Sequence, residues 1–277
     1  MNNHEIEELE FKSLLDLIKE CYGYDFGGYA KSSIKRRITQ LTLSEGHQYI
    51  SELIPKILYE KEFLDTFLKG MSVTVTEMFR DPWIWKTLRE EVIPRLRIFP
   101  RLKIWHAGCA TGQEVYSMAI LLKEEGLLDH SQIYATDFNN SSLEIAQKGI
   151  YPLREMRKHT SNYIESGGKE SFSDYYTVKY DAVKFNDKLK ENIVFSNHNL
   201  VEDNSFGEMN LIICRNVLIY FKQNLQDRAL NLFKESLSPR GFLLLGDKES
   251  IDFSIISNDF VSVSSKKHKI FQIKGGD

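Results

Sequence analysis

The stretch Lys103-Ile104-Trp105-His106-Ala107-Gly108-Cys109-Ala110-Thr111-Gly112-Gln113-Glu114 decides the fold. A short β-prone run enters two glycines, and Glu114-Val115-Tyr116-Ser117-Met118-Ala119-Ile120-Leu121-Leu122 follows with helical periodicity. Strand, glycine turn and helix in that order begin a ligand crevice in an open α/β sheet. Glycine lacks a Cβ, so the backbone can pass close under a ligand. The helix behind it points unpaired N–H groups at the same spot. Gly-x-x-x-Gly after a strand is equally the mark of a plain tight turn. No Gly-Lys-Ser/Thr follows, so this is not a P-loop, and Ala110 in the middle position excludes the dinucleotide pattern G-x-G-x-x-G. The next element tips the balance. Residues 132–137 read as a second strand ending in Asp137, about 25 residues on, where an acid accepts hydrogen bonds from both ribose hydroxyls. Loop and acid together favour a nucleoside cofactor over a bare turn.

The chain of 277 residues suffices for one large α/β domain and a small one. Apolar residues make up 42% and charged residues 27%, the composition of a soluble globular protein. A net charge of −3 argues against a generic nucleic-acid binder. Cys21, Cys109 and Cys214 are scattered, without metal-ligand spacing, so reduced thiols, no metal and a cytoplasmic location are expected. Residues 1–10 are acidic and carry no signal-peptide pattern. No apolar run approaches the roughly 18 residues of a membrane span, so no membrane insertion is expected.

The N-terminal domain, residues 1–70, reads as all-helical. Phe11, Leu14, Leu15, Leu17 and Ile18 form a helical stripe. A second helix starts near Ala30, with Lys31, Lys35, Arg36 and Arg37 beside an apolar face of Ile34, Ile38 and Leu41. That basic cluster is either a solvated face or a docking surface for an acidic partner. A third helix is expected near 44–47 and a fourth over 60–69. Residues 71–277 form the second domain. In Thr74-Val75-Thr76-Glu77-Met78-Phe79-Arg80-Asp81-Pro82, the two threonines share one face of an extended segment, while Asp81 and Pro82 suit the N-cap and N1 of a following helix.

Beyond residue 103, strands and helices alternate, which implies a mostly parallel sheet. Strands are expected at 103–107, 132–137, 210–214 and 242–245, with a turn at Pro239-Arg240-Gly241 and an antiparallel pair at 260–263 and 269–273 closing the edge. Residues 166–195 break the alternation with aromatic, β-branched runs at 175–180 and 183–185. They read as a small β insertion, either a substrate or partner element or a structural flap. Gly108, Asp137, Asn199 and Arg215-Asn216 all fall at carboxyl ends of strands, where such sheets bind ligands.

Thr74-x-Thr76-x-x-Phe79-Arg80-Asp81, Gly112-Gln113-Glu114-x-Tyr116-Ser117, Ala135-Thr136-Asp137, Asn199-Leu200 and Cys214-Arg215-Asn216-Val217-x-Ile219-Tyr220-Phe221 together resemble the CheR family, the S-adenosylmethionine-dependent methyltransferases of chemotaxis receptors. The resemblance runs over nearly the whole chain, including the basic second helix. It implies a Rossmann-like class I methyltransferase sheet with a helical N-terminal domain. It further implies that Thr74, Thr76, Arg80, Gly108, Glu114, Asp137, Asn199, Leu200, Arg215 and Asn216 bind the cofactor. Arg80 would meet the methionine carboxylate and Asp137 the ribose. Tyr220 would lie near the transferred methyl, with Arg95 or Arg97 as the arginine that serves activity. Lys31, Lys35, Arg36 and Arg37 would dock the substrate. Thr74, Gln113 and Val115 depart from residues common in the family, and Asp247-Lys248-Glu249-Ser250 matches its Gly-x-Ser-Glu ending in part.

The implied partner is the cytoplasmic helical region of a chemoreceptor. Some members also hold a C-terminal receptor peptide on a three-stranded insertion. The 166–195 segment stands there but is longer and more charged, which argues against tethering. A carboxylate acceptor is already ionised at neutral pH and needs no general base; the absence of an evident His/Asp or Cys/His dyad suits it. The competing readings are a same-fold methyltransferase for another protein, a small molecule or RNA, and a non-catalytic cofactor-sensing docking module.

Overall fold

The computed structural model describes residues 1–60, 62–71, 76–205, 207–263 and 269–275. The chain divides into two compact units. The first holds the N-terminal helices α1 (Asn3–Tyr22), α2 (Lys31–Ser44), α3 (Leu53–Tyr59) and α4 (Phe63–Met71), joined by Tyr220–Arg228 from far along the sequence. A capping box starts α1: Asn2 accepts from the Glu5 N–H, and the Glu5 carboxylate accepts from the Asn2 N–H. Phe11, Leu14 and Ile18 form its buried face. In α2 the buried face takes Ile34, Ile38 and Leu41, and also Arg37. The third helix begins later than the sequence suggests. Gly46, at φ 78°, follows the end of α2, and a short turn at Ile50–Glu52 intervenes before Leu53. Tyr220–Arg228 belongs with these helices through backbone bonds from Ala30 N–H to the Tyr220 carbonyl and from Lys222 N–H to the Gly28 carbonyl, each 2.8 Å.

The second unit contains ten strands among the described residues: β1 (Leu102–Ala107), β2 (Ser131–Asp137), β3 (Ile150–Pro152), β4 (Tyr176–Lys179), β5 (Ala182–Phe185), β6 (Ile193–Asn197), β7 (Met209–Cys214), β8 (Leu237–Leu245), β9 (Phe260–Ser262) and β10 (Ile270–Ile273). Seven of them form one sheet in the order β6-β2-β1-β7-β8-β10-β9. The neighbours from β6 to β8 are parallel; β10 pairs antiparallel with β8 and β9. Strand order reverses at β1, with β2 on one side and β7 on the other, so the crevice of an open sheet lies beyond the carboxyl end of β1. Every residue of β7 is buried, as befits a central parallel strand. Helices α5 (Pro82–Thr87), α6 (Ile93–Leu96), α7 (Gln113–Glu124), α8 (Asn140–Lys148), α9 (Met156–Glu165) and α10 (Gln223–Ser236), whose first residues through Arg228 fall in the first unit, complete the elements, a π-helical turn at Leu88–Val92 joining α5 to α6.

Two local expectations change. Pro239-Arg240-Gly241 is no turn before a strand but lies inside β8, where the register against β7 slips between Met209 and Leu211. Arg240 takes φ 64° there, and a Cβ on Gly241 would lie 2.8 Å from the Ser238 carbonyl, so the irregularity needs that glycine. The insertion is a three-stranded antiparallel sheet, β3-β5-β4, and it begins ahead of residue 166. Its first strand comes from Ile150–Pro152, ahead of α9, too short for periodicity to show. Nor is it a loose flap: Tyr151, Phe172, Val183 and Phe185 share the buried core of the large sheet's helices, with Phe185 5.3 Å from Tyr116 of α7.

Candidate functional site

Between β1 and α7 the loop is bound to the end of β2. The N–H groups of Gly108 and Cys109 donate to the Thr136 carbonyl at 2.8 and 2.9 Å. Ala110, in the left-handed region at φ 49°, turns its N–H onto Asp137 Oδ2 at 2.9 Å. The glycines serve packing. A Cβ on Gly108 would lie 2.6 Å from Val217 Cγ2, and one on Gly112 would lie 2.7 Å from Ala146 Cβ. Gly108 therefore lets the loop after β1 close against the loop after β7, and Gly112, at φ 90°, seats α7 against α8.

Asp137 is 8% exposed. Burial raises its pKa above the ordinary carboxyl value, and N–H donors from Asn139 and Ala110 offset that in part. Backbone donors from Ala110, Phe138 and Asn139 still leave carboxylate lone-pair capacity for a hydroxyl donor.

Arg215 follows β7 with its side chain 1% exposed. Its Nη1 donates to Glu114 Oε2 at 2.8 Å and its Nη2 to Asp81 Oδ2 at 2.6 Å. Glu114, in the first turn of α7, also lies 3.2 Å from Nδ1 of the buried His106. Burial raises the Glu114 pKa, but His106 and Arg215 pull it below its ordinary value. Sequence reasoning missed two members of this network. Asp81 reads as an N-cap, yet at φ 56° its side chain makes no cap bond and pairs with Arg215 instead. His106 reads as one residue of an apolar strand, and its partner lies on a different element. A His–Glu contact thus exists where no dyad is evident in the sequence, and it is occupied: Glu114 is engaged by His106 on one oxygen and Arg215 on the other.

The other expected residues distribute as follows. Asn199 turns its own loop, its Oδ1 accepting from Val201 N–H at 3.0 Å, and Leu200 is buried. Asn216 sits at φ 60° in the loop after β7. The Arg80 carbonyl accepts from Trp85 Nε1 at 3.0 Å and from Arg215. Thr74 lies outside the described residues. Thr76 lines a cavity of about 500 Å³ with Glu77, Gln113, Tyr151, Lys158 and His159. Neither Glu114 nor Asp137 borders that cavity.

Arg97 does not join this group. It donates to the Glu125 carbonyl at 2.8 Å, at the far end of α7, roughly 18 Å along the helix from Gly112. Arg95 is exposed on α6. In the helical unit, Lys31 and Lys35 pair with Glu8. Arg36 is exposed and makes no ion pair with a described residue. Arg37 faces inward: it is 7% exposed, donates to the Met71 carbonyl and stacks 4.5 Å from the centre of the Tyr220 ring. No helix among the described residues is long and apolar enough to cross a membrane.

The chain matches two family descriptions in succession: "CheR methyltransferase, all-alpha domain" over residues 9–72 and "CheR methyltransferase, SAM binding domain" over residues 74–268. It is 45% identical over 272 residues to a Pseudomonas putida protein named "Putative methyltransferase Cher3", covering 98% of this chain and 99% of that one. It is 29% identical over 246 residues to a "Chemotaxis protein methyltransferase" of Listeria monocytogenes, covering 88% of this chain and 91% of the relative. A "Chemotaxis protein methyltransferase 1" of Vibrio cholerae is 28% identical over 278 residues, with 97% and 98% covered. Sheet order, the loop tied to Asp137 and these matches agree: the chain belongs to the CheR family of S-adenosylmethionine-dependent methyltransferases.

Proposed function

We propose that this enzyme transfers the methyl group of S-adenosylmethionine to glutamate side chains of chemoreceptor cytoplasmic regions, forming methyl esters. The observation that carries the reading is the occupied His106–Glu114–Arg215 network. The His106–Glu114 contact after β1 is already engaged by Arg215, so the acceptor is best one that arrives ionised. A glutamate carboxylate, with a pKa of about 4.3, meets that requirement at neutral pH. The names of the relatives from Listeria and Vibrio, chemotaxis protein methyltransferases, support a role in chemotaxis.

The residues suit the cofactor. Asp137 offers acceptors to a ribose diol, Asn199 an amide to adenine, and Arg80 a guanidinium to the methionine carboxylate, a charge-assisted pair. Glu114 offers an acceptor to the methionine ammonium; Arg215 and Asn216 shape the wall after β7. The bound cofactor supplies an electrophilic methyl on a sulfonium. The chain's own work is alignment of the carboxylate oxygen with that methyl, and exclusion of water. Tyr220 flanks the methyl in this reading, and Arg36 is the cation of α2 best disposed to meet an acidic receptor surface.

The test uses methyl-labelled cofactor with receptor cytoplasmic regions. Label in receptor protein that mild base releases as methanol is the expected result. Base-stable label, or label in RNA or a small molecule, overturns the acceptor assignment.

A further inference from the structure

Glu249 is a buried carboxylate that none of the site's chemistry employs. It is 4% exposed and faces no cation in its hydrogen bonds. Its partners are backbone N–H groups alone. Oε2 accepts from Gly246 at 2.6 Å and from Asn216 at 3.0 Å. Oε1 accepts from Val217 at 2.8 Å and from Ile219 at 3.3 Å. A carboxylate has about four lone-pair directions, and here four donors use them. Three of those donors belong to the loop that leaves β7 carrying Arg215 and Asn216.

The loop needs such a hold. Asn216 stands at φ 60°, a left-handed conformation uncommon for L-residues and tolerated best by asparagine. Val217 must stay where Gly108 leaves room for it, since a Cβ at 108 would overlap its side chain. Gly246 closes the arrangement just past the end of β8. A Cβ there would sit 2.7 Å from Glu249 Oε2 and 2.9 Å from the Asn216 nitrogen, so carboxylate and loop backbone occupy the space that glycine vacates.

We infer that Glu249, seated on Gly246, is a positioning residue that fixes the Asn216–Ile219 backbone and thereby sets Arg215 and Asn216 for the cofactor. The inference rests on the proposed role of Arg215 and Asn216 as cofactor contacts. No other side-chain type reproduces the hold. Glutamine has one acceptor oxygen and one amide donor, so two loop or strand N–H groups would face another donor. Aspartate lacks the methylene needed to span both oxygens' partners.

Glu249→Gln tests this. The dissociation constant for S-adenosylhomocysteine and the KM for S-adenosylmethionine should rise about tenfold or more, because buried donors lose their acceptor. At saturating cofactor, kcat should recover to within about threefold. The stability control is Glu124→Gln, which disturbs a buried carboxylate at the opposite end of α7 and should lower the unfolding midpoint without moving cofactor affinity. A Glu249→Gln protein that matches this control, destabilised but with unaltered affinity, overturns the inference. Asn216→Ala separates the two layers. If it leaves affinity unchanged, the cofactor reading of Asn216 fails. If it weakens affinity while Glu249→Gln does not, the positioning role alone fails. Should Glu249→Gln not fold, Gly246→Ala presses on the same carboxylate from just past the end of β8 and must give the same rise in KM.

Discussion

The two ends of helix α7 carry arginine–carboxylate clusters of similar make-up and opposite use. At its C-terminal end Arg89 binds Glu124 and, at 3.0 Å, Glu125, while Tyr163 and Tyr175 donate to Glu124. At its N-terminal end Arg215 joins Glu114 and Asp81. The helix dipole separates them. Carboxylates at a helix C-terminus meet a partial negative charge and need cations, whereas one in the first turn is favoured by the dipole itself. Arg89 therefore answers a local structural demand. Glu124 is 1% exposed and its lone pairs are consumed by protein donors. Glu114 has less need of Arg215, yet receives it, and the cluster stays partly open: side-chain exposure is 17% for Glu114 and 26% for Asp81. A buried arginine beside carboxylates left partly accessible is the arrangement that the proposed cofactor site calls for.

The largest consequence falls at the closed end. Arg89→Ala leaves the buried Glu124 carboxylate without its cation, a change that costs about 3–5 kcal/mol, while Glu125 keeps Lys169 at 2.7 Å. We expect an unfolding midpoint lower by about 10 °C, with cofactor affinity unchanged in the folded fraction. Calorimetric unfolding and cofactor titration of the same sample measure the two quantities. Equal damage to affinity would show that the far end also serves the site.

Arg215→Lys is next. Lysine cannot span Glu114 and Asp81 as the guanidinium fork does. Affinity for S-adenosylhomocysteine should fall roughly 100-fold, with less loss of stability than in Arg89→Ala. A variant that is mainly destabilised and still binds cofactor would place both clusters in the same structural class.

That contrast was only half legible in the sequence. The loop, Asp137 and the alternation of strands and helices follow from local pattern, because glycine spacing and period are written along the chain. The arginine partners are not. Arg97 and Arg95 attract notice by standing before β1, but the buried arginine of that region is Arg89, set in a π-helical turn that periodicity does not announce. Asp81 and Pro82 read as a helix start, and Pro82 does open α5; the Asp81 carboxylate went to a residue 134 positions away. Arg37 looks like one of four surface cations, yet its position on the face of Ile34, Ile38 and Leu41 put it inside. In each case the pairing joins elements distant in sequence, and no local signal carries it. Glu249 shows the converse. It was visible in a tail motif, but its four backbone partners become apparent only when the loop after β7 folds over Gly246.

The smallest effect separates the two ends by pH. Burial pushes the Glu124 pKa up, but Tyr163 and Arg89 draw it below the ordinary value. A carboxylate depressed in the native state contributes stability above its unfolded pKa, about 4.3, and that contribution is lost as pH falls through the native value. His159 acts earlier: burial pushes it down to about 4, so stability declines as pH falls from the unfolded value of 6.5. Asp137 is shifted upward by burial, and protonation removes acceptor capacity from the proposed ribose contact, so affinity for the cofactor should weaken as pH falls through that raised value. Glu124→Gln should then flatten the stability profile only below about pH 4.3, leaving the histidine-dependent part and the affinity profile as in the parent protein. Urea midpoints and S-adenosylhomocysteine titrations from pH 7 downward give both curves. If Glu124→Gln moves the affinity curve, protonation at one end of α7 is felt at the other, and the helix is a coupling element between two clusters that otherwise divide anchoring from binding.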